Sequence, residues 1–149
     1  MAVQVSGTIT NKPFIISGRG VVKNQTIVTD AQRATILKKY TVMAQIADSK
    51  KWTPFVALNL VTGASLPKGI YMGEDIAVAT LAAADVEDVP ILIGQGCTVN
   101  GDLIEWDADT QSADSVCDPS TISERTAEMV LREVGIIIED TNSLDELEN

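Results

Sequence analysis

The stretch Val89-Pro-Ile-Leu-Ile-Gly94-Gln-Gly-Cys97-Thr-Val99-Asn100-Gly101-Asp102-Leu-Ile-Glu-Trp106 decides the fold class. Its apolar runs, Val89 to Ile93 and Cys97 to Val99, are short, β-branched and bounded by glycines, which reads as strands and not as helix. Asn100-Gly101 then separates Cys97–Val99 from a further β-capable run ending at Trp106. Asn-Gly between such runs predicts a two-residue hairpin, because a type I′ turn needs positive φ at both central positions.

Towards the N-terminus the same character continues. Val3, Val5, Ile9, Phe14, Ile15, Ile16 and Val21 recur in a loose alternation broken by Gly7, Pro13, Gly18 and Gly20. An ordinary first pair of strands fits this pattern. So does an arm that orders by adding a strand to another sheet, at a cost of about 1–2 kcal/mol of backbone entropy per residue. The chain is read as an extended arm over 1–28 carrying those seven apolar residues, a β-rich core over 29–140, and an acidic tail over 141–149. Within the core, Leu37–Met43, Thr53–Asn59 (entered through Pro54) and Gly69–Gly73 read as strands. Ile76–Ala82 reads as another, with helix left open around Ala82-Ala83-Ala84.

One clear helix is expected late in the chain. Thr121 and Glu124 fit a capping box. Ala127, Val130, Leu131 and Val134 fall on one face, Gly135 is placed to end the helix, and Ile136-Ile-Ile-Glu-Asp140 returns to β. The fold class is therefore mainly β with a small α contribution.

The net charge of −10 conceals a split: residues 1–68 carry nine Lys/Arg and two Asp/Glu, whereas residues 69–149 carry two and nineteen. Either the basic half meets an acidic partner or a neighbouring copy, or the two halves pack together in one subunit. The cations are dispersed without interleaved aromatics, which argues against nucleic acid as a partner. No run approaches the roughly 20 apolar residues of a membrane-spanning helix, and Met1–Lys12 lacks the pattern of a signal peptide. The expectation is a protein made in a cytoplasm.

The chain has no histidine, so Ser-His-Asp and Cys-His nucleophile arrangements are excluded. Cys97 and Cys117 lack zinc-ligand spacing; two buried thiols in a reducing compartment are favoured over a disulfide between them, which the sequence leaves open. The carboxylate pairs Glu74-Asp75, Glu87-Asp88 and Asp107-x-Asp109 read as loop charge. No catalytic residue, cofactor or metal site is assigned. Trp52, Pro54 and Trp106 stand beside turns and are taken as candidate interface anchors.

Four stretches carry a resemblance to a known family. Leu37-Lys-Lys-Tyr-Thr-Val-Met43, Trp52-Thr-Pro-Phe-Val56, Gly69-Ile-Tyr-Met-Gly-Glu-Asp-Ile76, and Arg125-Thr-Ala127 with Gly135-Ile-Ile-Ile138 resemble, in order and spacing, the head decoration proteins of tailed bacteriophages, the group that includes the lambda capsid-stabilising protein D. They cover about residues 35–140. The chain departs from the family at Tyr40, where a glycine is common, and in its longer N-terminal and C-terminal segments.

The resemblance implies a compact, β-tulip-like core with one C-terminal helix, assembled as a homotrimer on the exterior of a mature, expanded capsid. It implies that the N-terminal arm pairs with strands of the major capsid protein, that the protein is not an enzyme, and that it needs no cofactor. It places the protein in the virion, with neither nucleic acid nor membrane as partner. Another virion subunit of the tail tube or connector is the first alternative. A small trimeric hydrolase using carboxylates and a metal, through Asp107 or Asp109, is the second.

Overall fold

The computed structural model describes residues 13–57, 66–94, 96–107, 111–117 and 125–139. The elements are β1 (Ile15–Gly18), β2 (Val22–Ile27), β3 (Val42–Gln45), β4 (Trp52–Pro54), β5 (Pro67–Tyr71), α1 (Val78–Ala83), β6 (Val86–Leu92), β7 (Cys97–Asn100), a 3₁₀ turn at Gly101–Leu103, α2 (Ala127–Glu133) and β8 (Ile136–Glu139). The protein is mainly β, with a C-terminal helix, as expected. Five strands close a barrel in the order β2-β4-β3-β5-β6, and β1-β7-β8 form a separate three-stranded sheet.

The pleat divides β3, β5 and β6 between two cores, because successive side chains point to opposite faces. Ile27, Met43, Trp52, Tyr71, Val89 and Ile91 belong to one cluster, to which all five barrel strands contribute. That cluster is the barrel lumen, and Leu37, Ile76 and Leu81 pack against it. The alternate positions Val42, Ile70 and Leu92 face outwards into a second cluster with Phe14, Cys97 and Val99 of the small sheet, and with Val130 and Leu131 of α2. This core joins barrel, sheet and helix.

The helix agrees with its apolar pattern: Ala127, Val130 and Leu131 are buried, and Gly135 ends it at φ +88°. The cap differs. Thr126 accepts from the Met129 N–H at 3.4 Å, and the expected capping pair Thr121 and Glu124 lies outside the described residues.

Three expectations are corrected. The Asn100-Gly101 hairpin does not form. Asn100 has φ −77°, and its side chain accepts from the Asp102 N–H, which starts a 3₁₀ turn in place of a type I′ turn. Moreover β7 has β1 on one side and β8 on the other, so neither edge is free for a returning strand. The following segment instead joins the barrel rim, where the Val42 N–H donates to the Glu105 carbonyl at 3.1 Å and the Glu105 N–H to the Tyr40 carbonyl at 3.0 Å.

The second correction concerns the arm. Within residues 13–28 the chain forms β1 and β2, and β2 is a barrel strand paired with β6 from Val22↔Leu92 to Ile27↔Val86. The core therefore begins at Phe14, not at residue 29. Val3, Val5 and Ile9 lie outside the described residues, as does the tail 141–149. The third correction is Ile76–Ala82: only Ile76 bridges, to Leu37, and the chain then turns into α1. Its alanines carry the low conformational cost that favours helix, and Leu81 supplies the buried contact.

Candidate interaction surfaces

The residues singled out in the sequence are mostly structural. Phe14 is buried and its ring stacks on Tyr40, with centroids 4.0 Å apart and planes 8° from parallel. Ile15 packs against the same core, and Ile16 is half-buried. Val21 exchanges backbone hydrogen bonds with the β6–β7 connection: its N–H donates to Gly94 at 3.2 Å, and its carbonyl accepts from Ile93 at 2.8 Å. Pro54 is buried opposite Met43. Trp106 is half-buried and meets Phe55 edge-on at 6.1 Å. These contacts serve packing within the chain.

Tyr40 stands at a backbone position that suits glycine. It adopts φ +71°, the left-handed region that glycine enters freely. The strain of a side chain there is offset by the Phe14 stack and by the Lys39 ammonium 5.3 Å from the ring centre.

Two accessible depressions are formed by the described residues. One, of about 370 Å³, is lined by Thr35, Ile36, Lys38, Thr41, Glu105 and Trp106, with Asp107 at its side. The other, of about 270 Å³, is lined by Lys23, Gln25, Gln45, Trp52, Lys68 and Ile93, together with Val134. Lys23 and Gln25 come from β2, Gln45 from the end of β3, Trp52 from the start of β4 and Lys68 from the start of β5, while Ile93 follows β6. Given the strand directions, these positions all lie at one end of the barrel, so this depression is the barrel's mouth. Trp52 belongs here: it is 3% exposed, and its indole N–H donates to Gln25 Oε1 at 3.2 Å.

The charge split is partly resolved inside the chain. Arg33, with a side chain only 4% exposed, grips Asp107 with both guanidinium NH groups, one of them at 2.8 Å. It also donates to the Thr35 and Ile36 carbonyls, so it pins the 30–37 loop to the segment after the 3₁₀ turn. Lys51 pairs with Asp85 at 2.6 Å. Both contacts join the basic half to the acidic half.

The Asp85 carboxyl is held below the usual carboxylate range by the hydrogen bond from Lys51 and then by that from the Thr29 N–H. A depressed folded-state pKa stabilises the fold above the ordinary carboxylate pKa, and the contribution is lost as pH falls through the lower value. Asp85→Asn is therefore expected to flatten the acid side of a stability-versus-pH curve while leaving its slope above neutrality unchanged. Urea titrations across that range would check it.

Chemistry-bearing residues do not converge among the described residues: no group of three His, Cys, Asp or Glu side chains could hold a metal there. Asp107, one member of the Asp107-x-Asp109 pair, is committed to Arg33, and Asp109 lies outside the described residues. Asp75 accepts from the Lys39 N–H at 2.8 Å.

Cys97 and Cys117 are separate, buried thiols. Burial raises the Cys97 pKa, which suppresses its thiolate. Both thiols are expected to resist a disulfide reagent in the native protein and to react only on unfolding, with labelling rates rising by orders of magnitude in denaturant; fast labelling of either without denaturant would contradict their placement.

The sequence reading missed both the barrel mouth and the Arg33 clamp. Each depends on pairings between distant segments, and only the isolated arginine amid the 30–37 turn residues hinted at the second. No protein-family model and no curated protein matches the chain.

Proposed function

We propose that this protein is a structural component of a tailed-phage head, a trimer that docks on the outside of the expanded capsid and cements neighbouring capsid subunits against the pressure of packaged DNA. It acts by binding and not by catalysis, without a cofactor. The observation that carries this reading is where the N-terminal segment enters the fold. It leads into β1, an outer strand of the β1-β7-β8 sheet whose second edge is unpaired among the described residues. The order of the resembling stretches and the β-rich core with a C-terminal helix support the same assignment.

In this reading the strand-donating part is residues 1–12, with Val3, Val5 and Ile9 as its apolar contacts, and no longer 1–28. Twelve residues span at most about 40 Å when extended, enough to cross onto an adjacent capsid subunit. Three such arms on one trimer raise affinity through effective concentration if all engage together. Binding only the expanded shell stabilises that state by mass action.

The test compares the full chain with a chain lacking residues 2–12 in co-sedimentation with expanded, undecorated capsids. The full chain is expected to be a trimer that co-sediments, and the shortened chain a folded trimer whose binding falls by at least tenfold. Equal binding by both would contradict the arm, and rings or tubes in solution would favour a tail-tube or connector subunit.

A further inference from the structure

The mouth of the barrel has the make-up of an anion receptor. It presents two ammonium groups, Lys23 and Lys68, two amides, Gln25 and Gln45, and the buried indole of Trp52, and among the described residues no carboxylate lines it. Both lysines are exposed and, among the described residues, neither is ion-paired. Arg33 and Lys51, by contrast, are each paired with an aspartate. Small-barrel mouths with an apolar floor and a few convergent polar groups are recurrent ligand sites, and this one fits a carboxylate on a short aliphatic stem.

We propose that the occupant is the chain's own acidic C-terminal segment, residues 140–149, bound in cis through Asp145, Glu146 or Glu148. Charge is the first argument. Residues 140–149 carry four carboxylate side chains and no cation, interspersed with Leu144 and Leu147. Reach is the second. Val134 lines the mouth, and β8 carries the chain from Ile136 to Glu139, about 10 Å at the usual rise per strand residue. Ten further residues can extend about 33 Å, ample to turn back. A segment tethered so closely acts at an effective concentration in the millimolar range, so even a weak carboxylate–lysine contact is populated. The contact is ionic, part-exposed and screened by salt. This inference does not rest on the capsid reading.

Zero-length carbodiimide coupling of the full chain tests it, since coupling joins a lysine amine to a carboxylate only when the two are in contact. The single-chain band on a denaturing gel is expected to contain links from Lys23 or Lys68 to Asp145, Glu146 or Glu148, diminished at least fivefold in 0.5 M salt. As an independent readout, the Trp52 indole N–H resonance is expected to shift on removal of residues 140–149, while that of Trp106 stays in place. Links confined to other lysines, links found only between chains, or an unshifted Trp52 resonance would overturn the proposal.

Discussion

A chain beginning at Thr29 is expected not to fold, whereas one beginning at Lys12 is expected to retain a cooperative unfolding transition. Removal of residues 1–28 takes away β2, which closes the barrel through its ladder with β6 and its contact with β4 at Ile27↔Trp52. It also takes away Phe14 and Ile27, which are 5% and 0% exposed. Losing a buried side chain of that size costs about 2–5 kcal/mol, and the freed β6 backbone groups lose their partners as well. Two such losses alone rival the roughly 5–15 kcal/mol by which a domain of this size is stable. Circular dichroism through a thermal ramp would report it. A sharp transition in the chain beginning at Thr29 would mean that 13–28 is an appendage after all.

The second large effect is expected at Asp107. Asp107→Ala leaves the Arg33 guanidinium almost fully buried without its anion, and removing one partner of a buried pair costs about 3–5 kcal/mol. The double change Arg33→Met with Asp107→Leu removes both charges and is expected to recover most of that loss, because desolvation is no longer unpaid. Urea unfolding of the two single variants and the double variant forms the cycle. A loss under about 1 kcal/mol for Asp107→Ala would place the pair among ordinary surface contacts, and the 30–37 loop would then need another anchor.

Local pattern was legible where the controlling forces are local. The β6 and β7 runs, the apolar face of α2, its end at Gly135 and the return to β at Ile136–Ile138 all follow from spacing and turn chemistry within a few residues. Reading failed where a distant segment decides. Asn100-Gly101 is a strong hairpin cue taken alone. Yet β1 and β8, from opposite ends of the chain, claim both edges of β7, and the Asn100 side chain is drawn into capping the next turn. The Gly-broken run before Val28 looked too poor to form a core because its partners, β6 and β7, lie some seventy residues later.

Ile76–Ala82 was ambiguous for a physical reason: apolar residues in a run this short satisfy strand and helix alike. Tyr40 illustrates the reverse case. The sequence marks it as odd, but only the Phe14 stack shows how a tyrosine is kept at a left-handed backbone position. Of the candidate anchors, Trp106 lines one accessible depression and Trp52 lines the barrel mouth; Pro54 lines neither. The surroundings of Trp52 come from five strands and could not be read from its neighbours in sequence.

The most direct measurement is electron cryomicroscopy of expanded, undecorated phage capsids mixed with the purified protein. The account predicts trimers on the outer surface at threefold or quasi-threefold positions, with density for residues 1–12 alongside a strand of the capsid protein. Bare capsids under saturating protein, or density confined to the tail or portal, would contradict it.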